Sequence, residues 1–290
     1  MSTYVIALAV LLFISGISTA AFHATAPALV GRISGKQMGK GMSWFMAGGE
    51  LGFSFGPLLV VWAVSTWSLE GIYRVMLIGW VSSLLLILRM RRVPILQENH
   101  WTSLRPILPQ VTKVFLPLGG YILFRQFLFS PVTTYLPTFM TTRNASLWMA
   151  GASFSIVSLA GVVGTLLSGP LSDRWGRKFI LVATALGGSF ALLLLIFVNG
   201  WLIIPVLIVL GFLVLSTNSV MLAIVQEHFP KHRALTNGLY MGLNFVLQPV
   251  ATIILGIMGD HWGLQTTFLW AGFIALLSIP AIIALPDDNK

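Results

Sequence analysis

The amino-acid sequence predicts an all-α fold, a polytopic membrane bundle of about nine transmembrane helices, and three observations carry that expectation. Hydrophobic residues make up 57% of the 290 residues and charged residues 9%, whereas soluble domains carry about 25% charged residues; so few charges cannot cover a water-facing surface, and lipid is the solvent. Apolar runs of the roughly 20 residues needed to cross about 30 Å of hydrocarbon recur along the chain. They are continuous, without the alternation over about ten residues that marks a membrane barrel, so helices are expected. Finally, the segmentation that these runs impose gathers Lys and Arg on one side of the membrane.

In chain order, spans are expected near residues 4–30, 42–66, 71–89, 113–138, 147–171, 178–198, 201–225, 235–258 and 264–285. The first is too long for a cleaved signal peptide, and the first and fourth are long enough to tilt or to extend past the bilayer. The second is rich in glycine and carries Glu50, and the fourth carries Arg125 and Gln126. The fifth and sixth are separated by a tight charged loop, and the seventh and eighth hold Asn218, Asn244 and Gln248. The longest hydrophilic stretch, 91–112, contains Glu98, His100, Pro106 and Pro109 and reads as a cytoplasmic linker. It divides the chain into residues 1–90, with three spans, and 113–290, with six. A six-helix unit after a long linker suggests one half of a pseudo-symmetric transporter, whose other half should also hold six.

With the N-terminus outside, Arg32, Lys36, Lys40, Arg89, Arg91, Arg92 and the basic residues of the later loops share one face, against Arg74 and Arg143 on the other. That asymmetry places the N-terminus outside a cell membrane and the C-terminus in the cytoplasm. The net charge of +9 then reflects topology and contact with anionic lipid, and nucleic acid is not expected as a partner. The sequence holds no cysteine, which excludes disulfides and thiolate metal sites; neither a metal nor a cofactor is expected. No HExxH motif is present. The titratable groups within spans, Glu50 and Arg125 with His23 near an end, offer no evident nucleophile and base pair, so an enzyme is disfavoured.

The charged loop reads Gly169, Pro170, Leu171, Ser172, Asp173, Arg174, Trp175, Gly176, Arg177, Lys178. It matches G-x-L-S-D-R-x-G-R-K, and so resembles the cytoplasmic loop signature of the major facilitator superfamily, between helices 2 and 3 of a half. AFHATAPALVGR with GGELGFSFGPLL resembles helices four and five of fosmidomycin-resistance-type efflux proteins, and VQEHFPKHRALTNGLYMGL resembles their tenth-to-eleventh helix junction. On that resemblance the nine spans correspond to helices four to twelve, with the first three helices lacking. It implies proton-coupled efflux of a small drug or metabolite, an anionic compound being one option. An importer of an organic anion or metabolite and a truncated remnant that does not transport are the alternatives.

Several residues can carry such chemistry. Asp173 can face the N-terminal dipole of a neighbouring helix, Arg174 and Arg177 need acceptors, and Glu227 is the expected one because the superfamily resembles this chain in placing an acid there. Together with Gly169, Gly176 and Lys178 they form a candidate gating loop. Glu50, roughly 12 Å inside its span, is costly unless paired, solvated or protonated, which makes it the candidate proton-coupling residue, or a neutral hydrogen-bonded one. Arg125, roughly 18 Å deep, keeps its charge and needs an anionic substrate group or a partner such as Glu50. His23, Gln126, Asn218, Asn244 and Gln248 are further candidates for substrate binding, or for interhelical bonding. Gly52, Gly56 and Pro57 resemble part of a drug-proton antiporter signature, and equally suit close helix packing with a proline kink.

Overall fold

The computed structural model describes residues 3–90 and 107–286. Helices α1 (Thr3–Ile33), α2 (Met38–Gly71) and α3 (Met76–Met90) precede the undescribed segment, and α4 (Leu108–Ser130), α5 (Leu136–Thr142), α6 (Leu147–Trp175), α7 (Arg177–Phe197), α8 (Ile203–His228), α9 (Arg233–Leu276) and α10 (Ser278–Ile283) follow it. There is no strand among the described residues.

Among the described residues, six stretches are long and apolar enough to cross a membrane: Val5–Ile33, Trp62–Arg89, Met149–Trp175, Arg177–Phe197, Gly200–His228 and Arg233–Ile283. The stretch expected at 42–66 is helical within α2, with side chains at 53, 56–58, 60 and 61 outside the described residues. That at 113–138 is helical across α4 and α5, where Arg125 and Gln126 lower the hydropathy. The count of nine is therefore an expectation of the sequence, and six is what length and composition support.

The breaks in the helices have local causes. Gly263 (φ 79°, ψ 154°) interrupts α9 in a left-handed region open to glycine, between the two last expected spans. Ser68 (φ 60°, ψ 174°) interrupts α2 in the same way. Residues 91–106 of the expected linker lie outside the described residues; its last residues, 108–112, are helical, with Pro109 in the first turn of α4, where its missing N–H leaves no bond unmade. After Pro131 the same helix widens into a π turn, Pro131–Tyr135, before continuing as α5.

Two apolar clusters hold α4 to α9 together. One centres on Leu136, Phe139, Leu192, Leu207 and Phe268, with the Phe139 and Phe268 rings stacked at 4.2 Å. The other joins Leu118, Ile122, Leu181 and Met221 to Met38 and Met42 of α2. In α1 and α3, Leu11, Leu12, Phe13, Leu84 and Leu86 are exposed, as apolar side chains in lipid are.

Small residues set the closest packing. A Cβ on Gly164 would overlap the Phe212 carbonyl, and one on Gly211 the Val157 carbonyl, so α6 and α8 lie backbone to backbone. Ser168 Oγ donates to the Ser216 carbonyl (2.9 Å) across that seam. Gly164→Ala and Gly211→Ala should each cost roughly 1–3 kcal/mol and lower the thermal midpoint of the detergent-solubilised protein. Gly238→Ala, whose Cβ would meet nothing within 4 Å, should leave it in place; equal midpoints for all three would contradict the seam.

Candidate functional site

Arg125 of α4 is 4% exposed, and every contact it makes is one that a buried guanidinium requires. Its Nε donates to Thr217 Oγ1 (2.5 Å), and its Nη2 donates to the Val214 carbonyl (3.2 Å) and to Asn218 Oδ1 (2.9 Å). The Phe129 ring, one helical turn on, lies 4.8 Å from the guanidinium carbon. Thr217 is free to accept because its own hydroxyl hydrogen goes to the Val214 carbonyl. From α2, the Glu50 carboxyl group faces the Asn218 amide and the Arg125 charge. With its oxygen committed to Arg125, Asn218 presents its NH2 to Glu50, so one amide links an acid to a base. Tyr121 and Tyr240, both buried, lie within electrostatic reach of Arg125.

Glu50 stands at the border of two cavities. One, of about 620 Å³, lies between α1 and α2 and is lined by Phe22, His23, Phe45, Met46 and Glu50. The other, of about 320 Å³, is lined by Glu50, Phe129, Thr133, Thr134, Ser158 and Gln248, with the two threonines supplied by the π turn. Arg125 is not among the described residues that line either; it borders a separate space of about 10 Å³, with Thr184 and Ser278.

The expected site residues are thus only partly brought together. His23 and Gln248 share a cavity wall with Glu50, and Asn218 bridges it to Arg125. Asn244 donates to the Tyr240 carbonyl of its own helix (2.9 Å), and Gln126 is buried with Oε1 unbonded. The close packing expected at Gly52 is corrected: a Cβ there would meet nothing within 4 Å. Gly56 and Pro57 are helical, but their surroundings lie outside the described residues. The string Gly52–Gly56 also reads G-x-S-x-G, yet Ser54 sits mid-helix and its Oγ donates to the Glu50 carbonyl (2.8 Å), without the strand-to-helix elbow that a nucleophile there requires.

At one end of the bundle the charged loop closes on α2. Asp173 Oδ1 accepts from the Gly39 N–H and Oδ2 from the Lys40 N–H, both at 3.0 Å, satisfying first-turn donors at the positive end of α2. Arg177 Nη2 donates to Asp173 Oδ1 and to Glu227 Oε1, both at 2.6 Å, and Nε to Glu227 Oε2 at 3.2 Å. Arg177 is thus the partner of Glu227, while Arg174 is exposed. Gly169 lies against the Gly39 carbonyl so closely that no side chain fits at either position. Gly176 (φ 93°) turns α6 into α7, and Lys178 Nζ reaches the Ile283 carbonyl at 3.5 Å.

Pro27 and Asn237 were not among the expected site residues. Pro27 lies inside α1 and has no N–H, so the carbonyl four residues earlier, that of His23, loses its helical donor. Asn237 of α9, fully buried, donates Nδ2 to that carbonyl and to the Ala24 carbonyl. The signal was the proline, which names the orphaned carbonyl but not the helix that answers it.

A polytopic helix bundle with an acid and a base linked at its centre, cavities beside them and a charged closure at one end has the features of a membrane transporter. The chain belongs to the Major Facilitator Superfamily, whose model matches residues 1–246 and again 153–290. It is 25% identical over 295 residues to the fosmidomycin resistance protein of Escherichia coli (strain K12), covering 94% of this chain and 69% of that one. It is 32% identical over 151 residues to an MFS-type transporter, YfnC, of Bacillus subtilis (strain 168), covering 52% and 37%, and 30% identical over 176 residues to the multidrug resistance protein MdtG of Klebsiella pneumoniae (strain 342), covering 56% and 40%. The matched region therefore spans less than half the length of two of these three relatives.

Two outcomes follow. Because the chain lacks cysteine, Ser43→Cys, a fully buried position beside Gly169, reports selectively on the loop end. Adding Asp173→Ala should remove its bonds from Gly39, Lys40 and Arg177, each worth roughly 1–3 kcal/mol, and raise maleimide labelling at least tenfold; unchanged labelling would show that Asp173 does not hold this end closed. Asn237→Ala should destabilise the protein by roughly 1–3 kcal/mol. In a Pro27→Ala background, where residue 27 supplies the missing N–H, the same change should cost at least about 1 kcal/mol less in a thermal double-mutant cycle.

Proposed function

We propose that this protein is a proton-coupled exporter of a small drug or metabolite, in which Glu50 carries the proton. Residues 1–90 form part of an N-terminal half, 91–112 the linker and 113–290 a six-helix C-terminal half, with the N-terminus outside and the C-terminus and the charged loop in the cytoplasm. The observation that carries the reading is the position of Glu50, which borders both cavities and faces Asn218 and Arg125. As a carboxylate it accepts from the Asn218 amide and is drawn toward Arg125. Once protonated it loses that attraction, and α2 is freed from α8 at mid-bundle. A proton thereby biases the relative position of two helices that are also joined at the loop end, and it shifts the population of two states by the difference in its affinity for each.

The Asp173–Arg177–Glu227 cluster supports the other half of the cycle: its bonds hold α2 against α6 in the closed loop end, and an inward-facing state must break them. Export is favoured by the relatives, two of which carry drug-resistance names.

In proteoliposomes with an internal pH dye, Glu50→Gln should reduce substrate-induced proton movement at least tenfold while leaving substrate counterflow measurable. Wild-type proton movement in the variant would overturn Glu50 as the coupling residue.

A further inference from the structure

We infer that the solute these cavities accept is an amphiphilic organic cation, its charge held by the Glu50 carboxylate and its apolar body by the surrounding aromatic rings. The inference rests on the transport reading above and adds the substrate class. Drug-sized ligands occupy pockets of about 300–1,000 Å³ lined mostly by apolar groups with a few placed polar ones, and the two spaces beside Glu50 measure about 620 and 320 Å³. Among the described residues, their walls carry one carboxylate and no Lys or Arg.

Arg125, the deep cation of α4, is not among the described residues that line either cavity. Its Nε and Nη2 are committed to Thr217, Val214 and Asn218, and it lines the space of about 10 Å³, so an anion in either larger cavity meets a carboxylate first. This geometry speaks against the anionic option that Arg125 suggested in the sequence.

The apolar part of the site is aromatic. Phe22 and Phe45 stand with ring centroids 6.2 Å apart and planes tilted by 33° on the wall that holds Glu50, and Phe129 lines the second space. Aromatic faces attract a desolvated cation, and a delocalised or shielded cation pays least to leave water. In the second cavity the neutral groups Thr133, Ser158 and Gln248 complete the lining; Thr133 Oγ1 donates to the Phe129 carbonyl (2.9 Å), leaving its lone pairs toward a ligand donor.

A single carboxylate cannot hold a cation and a proton together. Exchange at the site is balanced: the Glu50 carboxylate paired with the cation takes a proton from water and becomes the neutral acid, and the cation leaves with its charge. The titratable and charged groups around this exchange are His23 of α1 across the first cavity and Arg125 of α4 beyond Asn218 of α8, with Tyr121 and Tyr240 behind Arg125.

The test is equilibrium binding of tetraphenylphosphonium and of tetraphenylborate, ions of nearly the same shape and opposite charge, to the purified full chain in detergent. Tetraphenylphosphonium should bind at least tenfold more tightly than the borate, lose affinity as pH falls, and lose at least tenfold in Glu50→Gln. Gly49→Leu, which fills open space in the first cavity and retains the carboxylate, should weaken it similarly, so the inference remains testable if Glu50→Gln does not fold. Equal binding of the two ions, preference for the borate, or phosphonium binding indifferent to both variants would overturn the cation assignment. If the phosphonium fails to bind while another solute still drives proton movement lost in Glu50→Gln, the substrate class is wrong and the transport reading stands. If it binds as expected but proton movement persists in the variant, the site stands and proton coupling through Glu50 falls.

Discussion

The N–H groups that begin α2 have no helical acceptor, and at the margin of a membrane bundle they must be satisfied by protein. Asp173 supplies both oxygens to Gly39 and Lys40, and the Gly39–Gly169 contact brings the two helices close enough for it to do so. This cap sets the position of α2 along its axis. Glu50 follows Gly39 by roughly 16 Å of helix. On α8, Asn218 precedes Glu227, which is held by Arg177 at the same end, by roughly 13 Å. The two depths match, and the acid of one helix meets the amide of the other.

Because α8 carries both Asn218 and Glu227, the helix that faces the central acid also supplies an acceptor at the closed end. In the proposed cycle, a charge change at Glu50 and an opening at Arg177 would therefore act on one helix rather than through a chain of intermediates. The glycine contacts of α6 with α8 strengthen that coupling by letting backbones touch, where longer side chains would leave slack. α1 joins the same assembly through a different device: Asn237 of α9 satisfies the carbonyl that Pro27 releases.

Several of these features were legible in the residues. The loop signature pointed to Asp173, Arg174 and Arg177 as charges at a helix end in lipid that need partners close by, and the family resemblance added Glu227 as the acceptor. Glu50 and Arg125 stood out because ionisable groups within apolar runs are costly unless satisfied. Less was legible where a partner lies on a distant helix. Thr217 and Tyr121 were not among the expected site residues, although Tyr121 precedes Arg125 by one turn and so shares its face. The π turn after Pro131, which turns Thr133 and Thr134 toward the cavity, has a proline as its visible cause but no rule in sequence that fixes where the helix resumes.

By itself, the sequence determined the solvent, the helical class, the loop that closes one end and the ionisable groups that need explaining, because each follows from composition, local spacing or the cost of charge in lipid. Tertiary structure alone decided which arginine pairs with Glu227, that Asn218 stands between Glu50 and Arg125, and that Arg125 lines a space other than the two larger cavities. Those outcomes depend on the rotation and axial shift of one helix against another, and such register comes from packing between residues far apart in the chain, which no local pattern encodes.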